Sequence, residues 1–243
     1  MTIAGCTALV TGANRGLGRA FVGALRGAGA AKIYAAARNP AGIAAEPGIV
    51  PIALDITKPD EVTAAAAACA DVALLINNAG VARFTPALVA PVENARLEME
   101  TNYFGTLAMC RAFAPVLARN GGGTLVNMLS VVSFFNLPMQ ATYSASKAAE
   151  WSLTKALRIE LHGQGTRVIG VYAGYIDTDM TAGIAGPKSN AADIVARVVE
   201  GIAAGVDDIL ADQRSRNVFA ALRKDDRAFD AYVQTLWDNR PKG

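Results

Sequence analysis

Seven short runs, each apolar at nearly every position, constrain this chain more than any other feature. They are Cys6 to Val10, Lys32 to Ala37, Ile49 to Leu54, Val72 to Ile76, Thr124 to Leu129, Arg167 to Tyr172 and Asp208 to Ala211. A strand with one wet face alternates apolar and polar residues; a strand without alternation is covered on both faces. Between these runs lie stretches with helical spacing: Leu17 to Leu25, Val62 to Ala70, Glu93 to Leu117, Ala141 to Leu161 and Ala191 to Ala203. Glu93 to Leu117 reads as one long helix. Alternation of strand and helix predicts an α/β fold: a doubly wound parallel β-sheet flanked by helices, with right-handed crossovers. No Pro/Ser-rich linker and no repeat divides the 243 residues, so one domain is expected over 1–243, ending in a charged helical extension at about 212–243.

Composition removes several classes of function. Apolar residues make up 52% and charged residues 18%, which excludes a disordered chain. The net charge is +2 and the Lys and Arg residues are scattered, so neither nucleic acid nor an anionic membrane is an expected partner. Cys6, Cys69 and Cys110 lie far apart and the single histidine is His162, so no metal site is expected. The chain shows no signal-like start and no bilayer-length apolar run, which leads to the expectation of a soluble cytoplasmic protein.

The first run passes into Thr11-Gly12-Ala13-Asn14-Arg15-Gly16-Leu17-Gly18, and a helix starts inside that segment. Glycines at such a place let the backbone turn tightly and approach a pyrophosphate, while the helix N-terminus offers free N–H groups. The spacing is G-x-x-x-G-x-G; taken alone it also fits a plain tight turn. Position after a first strand favours the dinucleotide-binding, Rossmann-type reading. A site selective for NAD carries an acid near the end of the second strand, where this chain has Ala35-Ala36-Ala37-Arg38. A guanidinium clamps a 2′-phosphate that a carboxylate would repel, so Arg38 and Arg15 point to NADP(H). Asp55, Ile56 and Asn78-Ala79-Gly80 follow later strands, where ligands of parallel sheets bind; they are equally good turn residues.

Tyr143 and Lys147 are four apart at the start of a helix, on one face and one turn apart. An ammonium beside a phenol stabilises the phenolate and is expected to draw its pKa down towards a useful range. Ser130 ends the preceding strand, and its hydroxyl is placed to bond a carbonyl oxygen.

With these residues the chain resembles the short-chain dehydrogenase/reductase family. The resemblance is carried by the glycine segment, by Asn77-Asn78-Ala79-Gly80, by Asn102 and Ser130, and by Tyr143-Ser144-Ala145-Ser146-Lys147, in that order. It implies that Tyr143 is the general acid of carbonyl reduction and the base of alcohol oxidation. Lys147 would bind the nicotinamide ribose, Ser130 would orient the carbonyl, and Asn102 would hold a water relaying protons to Lys147. The cofactor would rest on Gly12, Asn14, Arg15, Gly16, Leu17, Gly18, Arg38, Asp55, Ile56, Asn78, Ala79 and Gly80, with Gly174, Ile176 and Thr178 near the nicotinamide. It also implies a homodimer or homotetramer.

Where the family has Pro-Gly after the sixth strand, this chain has Ala173-Gly174, and a turn without the fixed proline φ is expected to be looser. The segment at about 178–190 is short and holds Gly183 and Gly186, suggesting an accessible pocket beneath a small lid or a plain surface loop. Phe84, Phe134, Phe135, Leu137, Met139, Tyr175 and Met180 are pocket candidates, apolar and aromatic, with no Arg or Lys to hold an acid. They favour a neutral hydrophobic ketone or aldehyde, although each is also a plausible core residue. Two other functions stay open: a non-catalytic NADPH-binding regulator, and an epimerase or dehydratase using the same cofactor.

Overall fold

A computed structural model describes residues 1–240; the last three residues of the expected C-terminal extension lie outside them. Seven strands form one sheet: β1 (Thr7–Thr11), β2 (Lys32–Ala37), β3 (Ile49–Ala53), β4 (Leu74–Asn77), β5 (Thr124–Met128), β6 (Arg167–Tyr172) and β7 (Asp208–Leu210). Their spatial order is β3-β2-β1-β4-β5-β6-β7, and every neighbouring pair is parallel. The order reverses between β1 and β4, which opens a crevice at the carboxyl ends of those two strands.

Both faces of the central strands are dry, as the unalternating runs require; the edge strand β3 departs from this, with no buried residue and with Val50 and Ala53 exposed, because no strand lies beyond it. Ala8 and Val10 of β1 pack on one side with Phe21 and Leu25 of α1 (Gly16–Gly27) and with Ile194 and Val198 of α6 (Ala191–Ala204). Leu9, between them in sequence, packs on the other side with Val62 of α2 (Pro59–Ala68), Phe113 of α4 (Thr106–Arg119) and Leu157 of α5 (Ala141–Glu160). Successive side chains of a strand point to opposite faces, so the buried residues of the central strands feed the two core layers alternately. Full burial of one such Leu or Phe is worth about 1.5–3 kcal/mol, which makes the two layers the main support of the sheet.

The long helix read over Glu93 to Leu117 is built in three parts. α3 (Val92–Glu98) continues through a π-helical segment, Met99–Gly105, into α4. Gly105 lies against the loop after β3, where a Cβ would come within 2.8 Å of Ile56, so only glycine lets the helix approach this closely. The wider π turn carries Asn102, and such turns recur where a helix must aim a side chain at a site. The charged tail forms two helices, α7 (Gln213–Lys224) and α8 (Asp226–Asp238). They divide at Asp225, whose extended backbone stops α7 and whose carboxylate accepts from the Ala228 N–H at 3.0 Å to cap α8.

Among the described residues no helix is long and apolar enough to cross a membrane, and no cluster of His, Cys, Asp and Glu is arranged to hold a metal.

Candidate active site

One cavity of about 630 Å³ runs along the carboxyl ends of the central strands. Its glycine end is built largely from backbone. Gly12 leaves β1 with φ +66°, a conformation that a side chain resists. A Cβ at Gly18 would collide with the Gly12 carbonyl oxygen, so α1 packs this close to the turn only without one. Thr11 Oγ1 accepts from the Asn78 and Ala79 N–H groups at 2.9 and 3.0 Å, and Asn78 Nδ2 donates to the Thr11 carbonyl at 2.9 Å. These bonds fasten the turn after β4 to the turn after β1, so the two form a single floor. Thr11 was not among the residues singled out for the site; its hydroxyl in the sequence gave no sign of this bridge.

Asn14, Arg15, Gly16 and Leu17 line the floor, with the first turn of α1 facing the cavity. Arg38 leaves β2 opposite them, beside Asp55 and Ile56. Burial pushes the Asp55 carboxyl up, but two hydrogen bonds from Thr57, helped by the Arg38 and Lys58 charges, hold it below its ordinary value. Arg15 pairs with Asp179 at 3.3 Å, with both side chains well exposed. Exposed pairs are worth about 0–1 kcal/mol, so this one holds Arg15 only weakly.

At the other end Ser130, Tyr143 and Lys147 meet. Ser130 follows β5 and caps a short 3-10 turn, its Oγ accepting from the Val132 N–H at 3.4 Å. Tyr143 and Lys147 occupy the first two turns of α5. Lys147 Nζ donates to the Met128 carbonyl at 2.7 Å and to Glu150 Oε2 at 2.6 Å. Glu150 is 1% exposed and escaped the sequence reading, in which it was one more polar residue of a long helix. Burial opposes the Lys147 charge, yet the Glu150 carboxylate and the Tyr143 oxygen outweigh it and hold the ammonium above its ordinary pKa.

The Tyr143 phenol departs from expectation. Burial raises its pKa; Lys147 draws it down, Glu150 pushes it up, the Ser130 hydroxyl draws it down and Glu98 pushes it up, with a net rise. The ammonium acts in the expected direction, but enclosure and two buried carboxylates outweigh it.

Asn102 stands behind the cavity, fully buried. Its Oδ1 accepts from the Val81 N–H at 2.8 Å, and its Nδ2 donates to the Val81 carbonyl and to Ser146 Oγ, each at 2.9 Å. The space that a Cβ at Gly80 would fill is bounded by Asn102 Oδ1 at 3.2 Å and Lys147 Nζ at 3.9 Å.

Phe84, Phe135, Leu137, Tyr175 and Met180 form the apolar wall beyond Tyr143. Phe84 has φ +49° and places its ring 6.0 Å from Tyr143 and 6.3 Å from Tyr175. The neighbouring Arg83 N–H donates to buried Glu98 Oε1 at 2.7 Å, which fixes this loop. Two pocket candidates fall elsewhere. Phe134 turns away and stacks on Tyr172 at 4.5 Å, with Trp151 and Phe219 around it; aromatic partners on β6, α5 and α7 draw it into the scaffold. Met139 is 41% exposed and does not line the cavity. The wall also carries charge that the sequence reading excluded: Arg83 and Arg214 border it, Arg214 lying 5.0 Å over the Tyr175 ring. Arg214 comes from α7, too distant along the chain to be placed by local patterning.

Gly174, Ile176 and Thr178 flank the same end. Without the proline, the Ala173-Gly174 turn is held by hydrogen bonds. Val131 N–H donates to the Ala173 carbonyl at 2.9 Å, and Gly174 N–H donates to buried Asp212 Oδ2 at 2.8 Å. The segment over 178–190 is stitched at its base, where Asp177 N–H bonds the Ser189 carbonyl and Ser189 N–H bonds the Tyr175 carbonyl.

With this geometry in place, similarity to known proteins is informative. The family model for short chain dehydrogenases matches residues 6–188. A galactitol 2-dehydrogenase (L-tagatose-forming) of Cereibacter sphaeroides is 36% identical over 73% of this chain and 74% of its own. D-erythrulose reductase of Gallus gallus is 33% identical over 86% of this chain and 87% of its own. A short chain dehydrogenase of Burkholderia cenocepacia, solved in complex with NADP, superposes with a TM-score of 0.93 at 42% identity, covering 96% of this chain and 99% of that one. A glycine floor at the sheet crevice, a Ser-Tyr-Lys cluster at its far end and a match over most of the sequence agree: the chain belongs to the short chain dehydrogenase family of oxidoreductases.

Proposed function

We propose that this chain is an NADP(H)-dependent reductase of hydrophobic ketones or aldehydes, with Tyr143 as its acid and base. The observation carrying this reading is that Ser130, Tyr143 and Lys147 share one cavity with the glycine floor and with Arg15 and Arg38. The residues present fit the dinucleotide: the floor lacks side chains where a pyrophosphate needs close approach, and the Arg15 and Arg38 guanidinium groups, suited to a 2′-phosphate, line the same cavity. The NADP-bound relative at 42% identity supports the same choice. When bound, the cofactor supplies or accepts the hydride. Gly12, Gly16, Gly18 and Asn78 to Gly80 would hold its phosphates and adenosine side, and Ile176, Thr178 and Lys147 its nicotinamide end.

The chain's own groups handle the carbonyl oxygen and its proton. Ser130 and Tyr143 hydroxyls present two donors to that oxygen, and Tyr143 gives up its proton as negative charge develops there. The Lys147 ammonium stabilises the phenolate left behind. A water in the gap between Asn102 Oδ1 and Lys147 Nζ would return the proton. The apolar wall excludes bulk water and favours a hydrophobic substrate, while Arg83 and Arg214 admit one with a remote acceptor or acidic group. A second cavity of about 950 Å³ under α7 and α8 shares Phe135, Leu137, Tyr175 and Arg214 with the first, giving an elongated substrate room to extend. Exposed Phe104 and Ile159, on the long helical segments, support a homo-oligomer.

The test is a panel of ketones and aldehydes with NADPH and NADH side by side, followed by cofactor absorbance, with Tyr143→Phe as control. Net NADPH consumption that vanishes in Tyr143→Phe is the expected result. Binding without turnover identifies a regulator, and product without net cofactor change identifies an epimerase or dehydratase.

A further inference from the structure

Lys147 is held from behind by a carboxylate that the proton-transfer scheme does not use. Glu150 lies one turn further along α5, its Oε2 2.6 Å from Lys147 Nζ, with both side chains almost wholly buried. Thr106, buried on α4, lowers the pKa of the same carboxylate. Thr154 Oγ1 bonds the Glu150 backbone carbonyl at 2.8 Å and accepts from Asn127 Nδ2 at 2.9 Å, and Asn127 joins Asn77 in turn. The Lys147–Glu150 pair is therefore seated on a polar network crossing from α5 to β5 and β4. The titratable groups that sense Glu150 are Lys147 and Tyr143 on its own helix and Cys110 on α4; Glu98, from α3, also acts on Tyr143.

A lysine free of such a partner would present a full positive charge to the phenol. Here a negative charge sits on its far side, and the net field at Tyr143 depends on both. We propose that Glu150 is a positioning residue for proton transfer, fixing the Lys147 ammonium against α5 and setting the net charge that the Tyr143 hydroxyl faces. This rests on Tyr143 being the acid and base. Burial pushes the Glu150 carboxyl up to about 7, against the pull of Lys147 and Thr106, so its charge changes within the range where an enzyme works. Below that point Glu150 is neutral and the ammonium acts on Tyr143 unopposed. Above it the carboxylate repels the phenolate, and the tyrosine ionisation is delayed. The limb of alcohol oxidation against pH therefore lies further alkaline than it would beside an unpartnered lysine.

The experiment is the pH dependence of kcat for alcohol oxidation by the holoenzyme, for wild type, Glu150→Gln and Thr106→Val. Glu150→Gln keeps shape and a hydrogen-bond acceptor but removes the charge. Its limb is expected to move acidward by about half a pH unit or more, as loss of a buried like-charge neighbour requires. Thr106→Val alters a polar neighbour of the carboxylate but leaves Glu150 charged where Tyr143 ionises, so its limb is expected to stay in place; a limb that moves as far as in Glu150→Gln overturns the assignment to charge. A Glu150→Gln limb that superposes on wild type, or moves alkaline, overturns the proposal; a purely structural Glu150 lowers kcat or Tm and leaves the limb in place. If Glu150→Gln does not fold, Glu150→Leu removes the same charge and decides by the same criterion. Tyr143→Phe separates the two levels: full turnover there defeats the acid–base reading itself, whereas a dead Tyr143→Phe with an unmoved Glu150→Gln limb defeats only the role of Glu150.

Discussion

At one end of the cavity the wall is mostly main chain, contributed by two adjacent turns at the ends of β1 and β4; at the other it is side chains from β5, α5, the loop after β4, the segment after β6 and α7. The glycine end works by what it lacks. A single methyl group at Gly18 meets a carbonyl oxygen, and the two turns of the floor are tied by the Thr11 hydroxyl and the Asn78 amide. The tyrosine end works by what it holds, a phenol, an ammonium and two buried carboxylates whose charges oppose one another. The comparison teaches that one end is specified by shape and the other by electrostatic balance, so the two should fail in different ways.

The sharpest way to separate them is to keep shape and remove chemistry. Tyr143→Phe preserves the ring, and kcat for carbonyl reduction is expected to fall by roughly 10²–10⁴-fold with NADPH affinity within a few-fold of wild type. Stopped-flow turnover and cofactor fluorescence titration read the two separately. Gly18→Ala does the reverse: every reactive group stays, and NADPH binding is expected to drop by roughly 10-fold or more, because displacing packed backbone costs about 1–3 kcal/mol. If Gly18→Ala bound cofactor normally, the glycine end would not be governed by shape.

Arg38→Asp probes one of the two guanidinium groups, with Arg15, that border the glycine end. Loss of a charge-assisted bond worth about 1.5–3 kcal/mol should weaken NADPH by roughly 10–100-fold and leave NADH little changed. Equal losses for both cofactors would remove Arg38 from phosphate recognition. The smallest effect concerns stability. The Glu150 pKa is raised from 4.5 to about 7 in the folded chain, so between those values the native state holds more protons than the unfolded state. Stability from this group is complete below about pH 4.5 and is lost as the pH rises through about 7. Melting curves across that window should show a Tm decline that Glu150→Gln flattens.

How much of this could be read in advance follows the same division. The glycine segment, Arg38 and the strand ends were legible because a backbone floor is local: turn residues lie next to the strand they follow. β2 and β6 match the runs Lys32 to Ala37 and Arg167 to Tyr172 residue for residue, since nothing competes with an unbroken apolar strand. Tyr143, Lys147 and Ser130 were legible through spacing and resemblance together. Glu150 was not, because a buried acid and an exposed one are the same letter until the helix is rotated against its neighbours. The π turn at Asn102 was hidden too, as the apolar period of Glu93 to Leu117 does not register one extra residue. Arg214 depends on how α7 folds back over the segment after β6, a long-range event without local signature. Phe134 was misplaced for a related reason, since its stacking partners come from three distant elements.

Phe84 carries a further consequence. A bulky residue in the left-handed region costs about 1–2 kcal/mol, and this one endures it next to the Tyr143 phenol. Enlarging a pocket ordinarily sacrifices stability, because a void replaces packed atoms. At this position relief of torsion works the other way: Phe84→Gly would widen the cavity and relax the main chain in one change, whereas Phe84→Ala would widen it and keep the strain. The fold thus contains a spot where room for larger substrates and thermal endurance need not be traded against each other, and the gap in Tm between those two variants measures how tightly the spring is wound.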